Sequence, residues 1–391
     1  MAQDTTQDSR DKERTAPHPE SDQKPDSPTD LSKPSWGYIG KRAVSEFSKD
    51  DCTDLAASLT YFAVLSLFPA LLAIVSLLGV FGQGQATTQA ITNFLSDYAP
   101  AELVTLLEGP ISNLTTSTGA GLALVTGLLG ALWTASGYTG AFGRAMNRIY
   151  EVEEGRPVWK LRPVNILVTL GLVIIVVVII AALVLSGPIA QTAGDLIGLG
   201  ATAVTVWSIA KWPVVVLLAV ILIAVLYYFT PNVQQPKFKW ISMGSIVALI
   251  VMAIAVAAFA WYVVNFSSYN AAYGIIGSVI ILLLGLWIVN NVLLLGAEID
   301  AEVERGRQLQ GGIKAEETIQ LPPRDTRQID KQEKKEEKLI DQGRKLRLEH
   351  EHLDYSSGED SGNDSGDGDD RGRAGARTGA SGGTGGSSAA S

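Results

Sequence analysis

Three histidines (His18, His350 and His352) and one cysteine (Cys52) are all that this 391-residue chain offers for imidazole or thiol chemistry. Metal-dependent hydrolysis needs clustered His, Asp or Glu to hold a cation and activate water, yet residues 36–305 contain no histidine. His350 and His352 stand two apart in a charged segment, so they do not share a helix face and read as a solvated pair. The lone Cys52 excludes an intramolecular disulfide framework and any Cys-rich metal site, and reads as a reduced thiol. Ser58, Ser66, Ser76 and Ser136 fall within long apolar stretches with no histidine to serve as base. Hydroxyls in such surroundings pack and hydrogen-bond. No basic cleft with interleaved aromatics is present to hold nucleic acid. No catalytic residue, metal or cofactor is therefore expected, and the chain reads as a non-enzyme.

A second set of polar residues suits binding rather than catalysis. Arg144 and Arg148 are four apart, as are Asn147 and Glu151, so each pair would share a helix face. Two roles stay open for the arginines: interfacial anchors touching lipid phosphates, or a vestibule gripping an anionic substrate or headgroup. Asn290, Asn291 and Glu298 interrupt another apolar run, with Asn291 and Glu298 about two turns apart. An unpaired amide in hydrocarbon costs several kcal/mol, so this face should meet protein or water, as interhelical glue or as the lining of a path. Glu298 is expected to pair with Arg305 or with a lysine of the 237–239 stretch. Gly137, Gly140 and Gly143 permit either close helix packing or hinging. Pro69 removes a backbone hydrogen bond and predicts a kink.

The elements that must position these residues are six apolar runs, at about 55–80, 119–142, 164–186, 212–229, 241–264 and 274–295. A hydrocarbon core of ~30 Å takes about 20 helical residues, and lipid leaves no partner for an unpaired backbone group, so the runs must be helices. Lys and Arg mark alternate gaps: the gap 82–118 has neither, whereas 143–163 has Arg144, Arg148, Arg156, Lys160 and Arg162. Lys237 and Lys239 mark the gap 230–240, and 265–273 has no basic residue. The positive-inside rule then puts both termini in the cytoplasm. The expected fold is all-α: a polytopic membrane bundle of six transmembrane helices, N-in and C-in, with added amphipathic interfacial helices.

Outside the runs the composition changes. Two thirds of the formal charge of −9 resides in the ends: residues 1–35 hold eight acidic and five basic side chains, and 307–391 hold seventeen and fourteen. Residues 1–35 lack apolar periodicity and are expected to be a disordered cytoplasmic tail. No apolar core precedes residue 55, so no cleavable signal peptide is expected. Trp36, Ile39, Ala43, Val44 and Phe47 recur at helical spacing and predict an amphipathic helix over 36–50, at the start of a membrane domain spanning 36–305. The stripes Ile91, Phe94, Leu95, Tyr98 and Leu103, Leu106, Leu107, Ile111 predict two short helices at the outer mouth, and 189–210 is a milder version. Residues 306–355 form a charged, partly helical cytoplasmic segment, and 356–391 a disordered acidic Gly/Ser-rich tail.

Several stretches resemble the YihY/BrkB family. The first span, AASLTYFAVLSLFPALLAIVSLLGVFG, is similar to that family's first span. ALWTASGYTGAFGRAMNRIYEVEEGRPVWKLRP is similar to its second-span exit, with Asn147, Tyr150, Arg156 and Pro157 at the motif positions. YYFTPNVQQPKFKW, Gly244, FAWYVVNFSSYNAAYG and LLLGLWIVNNVLLLGAEIDA follow in the family's order, so the resemblance covers roughly 36–305. One departure is that Trp287 is followed by Ile-Val-Asn-Asn, where the family commonly has an aromatic. The resemblance implies a six-helix bundle in the cytoplasmic membrane, among relatives labelled virulence or serum-resistance factor, ribonuclease BN, or transporter. The missing histidines argue against the nuclease label. The expected role is a transporter or flippase-like protein for an amphipathic or anionic molecule, or an envelope-maintenance factor. The alternative is a non-transporting scaffold that recruits partners through its tails. Membrane lipids are the expected partners, with an anionic or lipid-like substrate, no nucleic acid, and the oligomeric state open.

Overall fold

The computed structural model describes residues 2–25, 27, 30–81, 120–184, 201–236, 242–265 and 268–359. Among them are nine helices: α1 (Ala2–Thr15), α2 (Lys33–Lys49), α3 (Cys52–Phe81), α4 (Ala120–Ile149), α5 (Val158–Val184), α6 (Ala201–Phe229), α7 (Met243–Asn265), α8 (Ser268–Gln310) and α9 (Arg327–Glu359). No strand occurs among these residues, and the sole β feature is an isolated bridge between Val233 and Pro323. The fold is all-α. Helices α5, α6, α7 and α8 are each long and apolar enough to cross a membrane. Helices α3 and α4 coincide with the first two apolar runs. The side chains of 67–81 and 120–128 lie outside the described residues, as do the expected outer helices of the 82–118 gap.

Several helix boundaries differ from the sequence pattern. Helix α6 starts at Ala201 rather than near 212, because Ala201–Lys211 contains no breaker; Pro213 therefore sits inside the helix. Helix α8 runs 43 residues to Gln310, about 65 Å and twice a hydrocarbon core. Good helix formers such as Ala297, Glu298, Ala301, Glu302 and Arg305 carry it past the apolar run. It stops at Gly311-Gly312, where Gly312 has φ +76° and Ile313 N donates to Gln308 O at 2.9 Å. The stretch 2–15, expected to be without order, is the helix α1, held by contacts that only the folded bundle supplies. The predicted amphipathic helix is present as α2: Ser32 caps it, accepting from Ser35 N, with Pro34 in the first turn. Ile39 and Ala43 are buried, and Ile39 lies against Gly306 of α8, so this face meets protein. Helix α3 continues through Pro69.

The core concentrates at one end of the bundle. Leu59 of α3, Phe142 and Met146 of α4, Leu226 and Tyr227 of α6, and Leu294 and Ala297 of α8 pack together there. The Phe142 and Tyr227 rings stack at 6.2 Å. Helices α7 and α8 cross closely at small residues: a Cβ on Gly244 would lie 2.0 Å from Gly296 O. After α8, residues 311–326 return across this end as a strap that buries Ala315, Ile319 and Leu321 completely. The N-terminal segment, the 150–157 and 230–236 connections and the strap all meet here. Residues 334–359 belong to a second unit, apart from the bundle. Its described part continues α9 as a charged helix with Leu339, Leu346 and Leu348 exposed.

Candidate functional site

The polar cap over the core is built around Glu151. Helix α4 ends in a Schellman turn: Glu151 N donates to Arg148 O at 3.0 Å and Val152 N to Asn147 O at 2.9 Å. Glycine usually takes the left-handed position of this turn, but here it is Glu151 with φ 54°. A side chain there costs roughly 1–2 kcal/mol, and this one is used twice. Its carboxylate accepts from Arg305 at 2.9 Å and from the strap at Ile319 N, 2.8 Å. The turn takes Glu151 off the helix, so it does not share a face with Asn147 as a helical spacing would have it. Arg305, 1% exposed, also pairs with Glu302 of its own helix and donates to Ala315 O. Arg305 therefore does not pair with Glu298, and the 237–239 lysines, the other partners expected for Glu298, lie outside the described residues.

Asn147 and Asn232 tie the connections together. Asn147 donates to Glu154 at 3.0 Å and accepts from Asn232 N at 2.6 Å. Asn232 in turn donates to Glu153 O and Asp325 O, both at 2.9 Å. Arg156 grips Glu154 through two nitrogens and donates to Thr230 O, at the end of α6. The turn at Gly155 lies so close to the strap that a Cβ would sit 1.7 Å from Asp325 O. Helix α1 closes the assembly: Lys12, 1% exposed, donates to Glu151 O, and Ser9 accepts from Glu153 N. Lys24 pairs with Glu304 at 2.8 Å with both groups buried.

Deeper in the bundle, Asn290 rather than Asn291 faces inward. Asn290 is 2% exposed; it accepts from the Tyr138 hydroxyl at 2.8 Å and donates to Thr60 Oγ1 at 3.2 Å. Asn291 turns back on its own helix and donates to Trp287 O. Glu298 is buried and accepts from the Cys52 thiol at 3.4 Å. Burial, with Glu298 beside it, holds that thiol well above its usual range, as an unreactive group. At the α2–α3 junction, burial and then Glu46 push the Asp50 carboxyl up to about 6. Arg148 is exposed and binds Asp51 at 2.7 Å. Arg144 is exposed with its guanidinium over the Phe62 ring at 5.6 Å. Arg305 and Arg148 are thus paired with carboxylates, whereas Arg144 makes no ion pair among the described residues.

The three α4 glycines mark close approaches. A Cβ on Gly137 would touch Phe62 at 3.5 Å, one on Gly140 would lie 3.1 Å from Asn165 Nδ2, and one on Gly143 3.0 Å from Thr230 O. The side chain of Pro69 lies outside the described residues. Sequence reasoning passed over Asn165 on α5, and its signal was plain: an amide at the head of an apolar run. Tyr138 and Thr60 carried no such signal, because both types pack unremarkably in membrane helices. No group of three or more His, Cys, Asp or Glu able to hold a metal ion occurs among the described residues.

Comparison with known proteins places this arrangement. Residues 43–319 match the family model described as Virulence factor BrkB. The ribonuclease-like protein YfkH of Bacillus subtilis (strain 168) is 30% identical over 269 residues, which is 69% of this chain and 96% of that protein. The UPF0761 membrane protein RSc1559 of Ralstonia nicotianae is 28% identical over 70% of this chain, and the alignment spans 60% of that longer relative. A UPF0761 membrane protein of Aeromonas salmonicida is 26% identical over 68% of this chain and 88% of its own length. No solved structure matches. The matched span takes in every apolar helix and ends on Ile319, where the strap meets Glu151, and with it this multi-pass membrane protein belongs to the virulence factor BrkB family.

Proposed function

We propose that the chain crosses the cytoplasmic membrane six times with both termini cytoplasmic, and that it moves an amphipathic or anionic molecule across that membrane. The observation that carries this reading is the buried Tyr138–Asn290–Thr60 chain between α3, α4 and α8. Polar groups inside a lipid-embedded bundle are expensive and mark paths more often than they add stability. The meeting of α1, the connection 150–157 within the Arg- and Lys-bearing stretch 143–163, and the strap at one end supports a shared side for both termini.

Vesicles carrying the purified chain and headgroup-labelled phosphatidylglycerol test the reading. Lipid flux should rise over protein-free vesicles, Asn290→Leu should slow it, and Asn291→Leu should leave it unchanged. Thermal midpoints of both variants separate lost flux from lost folding. Absence of flux for phosphatidylglycerol and for a soluble organic anion overturns transport. A second reading rests on the exposed, charged helix from Lys334 onward, which suits a scaffold recruiting a partner. It predicts that deleting 334–391 abolishes cellular function while Asn290→Leu does not.

A further inference from the structure

Two hydrogen-bond donors on adjacent helices stand without partners beside the cap. Arg144 makes no ion pair among the described residues and rests on the Phe62 ring. Asn165 is only 4% exposed, yet among the described residues nothing pairs with its side-chain amide. Only its backbone carbonyl is engaged, by the Thr169 hydroxyl at 2.7 Å. Among the described residues the one fully enclosed side-chain polar atom without a partner is Arg42 Nε, so the Asn165 amide, though deep, stays open to water or a small ligand. Gly140 lies between the two donors. A Cβ there would meet Asn165 Nδ2 at 3.1 Å and Arg144 Nη1 at 3.9 Å, so both nitrogens lie close against the same glycine. The buried Thr139–Thr169 hydroxyl pair, 2.7 Å apart, packs alongside on the same two helices.

We propose that Arg144 and Asn165 form a binding site for a phosphate-type oxyanion. The site's depth rests on the six-span reading: spans ending near 142 and starting near 164 put both residues where lipid phosphates lie. The guanidinium supplies charge and a planar fork of donors. The Asn165 amide adds a neutral N–H donor from a fixed direction. Phe62 holds the guanidinium plane and offers apolar surface beside it, the pairing that a phospholipid glycerol region presents. Cations at this depth attract anionic headgroups. Neither Arg148 nor Arg305 competes, since carboxylates already hold both.

The test uses the full chain in neutral detergent, with native mass spectrometry of retained dioleoylphosphatidylglycerol against dioleoylphosphatidylcholine, and calorimetric titration with inorganic phosphate. The wild-type chain should retain the anionic lipid in preference. Arg144→Gln should weaken that retention about tenfold and Asn165→Leu several-fold, in keeping with one charge-assisted and one neutral hydrogen bond. Arg144→Lys should retain part of it, and Gly140→Leu should push the Asn165 amide out of place and remove the retention. Because Arg144 is exposed, Arg144→Gln should keep the wild-type thermal midpoint, which leaves the test valid if Gly140→Leu does not fold. Response to inorganic phosphate without lipid preference assigns the site to a soluble anion and still supports it. Equal retention by wild type, Arg144→Gln and Asn165→Leu, with no phosphate response, overturns it. Retention lost in Arg144→Gln from a chain that shows no flux overturns transport and leaves the site standing.

Discussion

Two regions of this protein invert the usual distribution of side chains. Along α7, Ile250, Ile254 and Trp261 are 57%, 64% and 65% exposed, whereas at the cap Glu302, Arg305 and Gln308 are at most 1% exposed. In water the first pattern would aggregate and the second would be costly. A bilayer solvates the first, and the cap makes the second tolerable by giving each buried charge named partners. The belt therefore asks only for apolarity, while the cap asks for particular atoms at particular distances.

Substitutions of unequal expected cost probe that contrast. Arg305→Leu leaves Glu302 and Glu151 without their counter-charge and should lower stability by about 3–5 kcal/mol. Thermal unfolding in detergent would show it, and a midpoint near wild type would mean that the cap is not bound by charge. Gly155→Ala drives a Cβ into Asp325 O and should cost about 1–3 kcal/mol. Limited proteolysis of the strap would report its release. Asp50 provides a pH test. Its carboxyl, raised from 3.8 to about 6, holds a proton more tightly in the folded than in the unfolded chain. Asp50 therefore lowers stability as pH rises through that interval. Asp50→Asn should match wild type near pH 4 and gain about 1 kcal/mol near pH 7, seen as a flatter midpoint-versus-pH curve. Ile254→Leu, in the belt, should change stability by less than about 0.5 kcal/mol. A large effect there would show that α7 packs against protein, not lipid.

Much of this fold was legible in the chain, and the site much less so. The helices of the third to sixth runs follow from apolar length, because partition into hydrocarbon is a property of each segment. Helix α2 follows from its periodicity and its Ser32-Pro34 start. The end of α8 did not follow: the apolar run stops near 295, but helix propensity continues to Gly311-Gly312. Asn291 and Glu298 share a spacing that suggested one buried polar face, yet the packing of α3 and α4 against α8 selected Asn290. One residue is a 100° rotation about the helix, and only neighbouring helices fix that angle.

By itself, the sequence determined class and family resemblance, since the apolar, histidine-free stretch 36–305 needs no partner to declare itself. The tertiary structure alone decided which charges are spent on one another. Arg305 meets Glu151 across 154 positions, and Lys24 meets Glu304 across 280. Charge pairing at such separations depends on where the backbone returns, and no local pattern encodes that return. The same folding that paired Arg148 and Arg305 with carboxylates left Arg144 and Asn165 beside one glycine, Gly140.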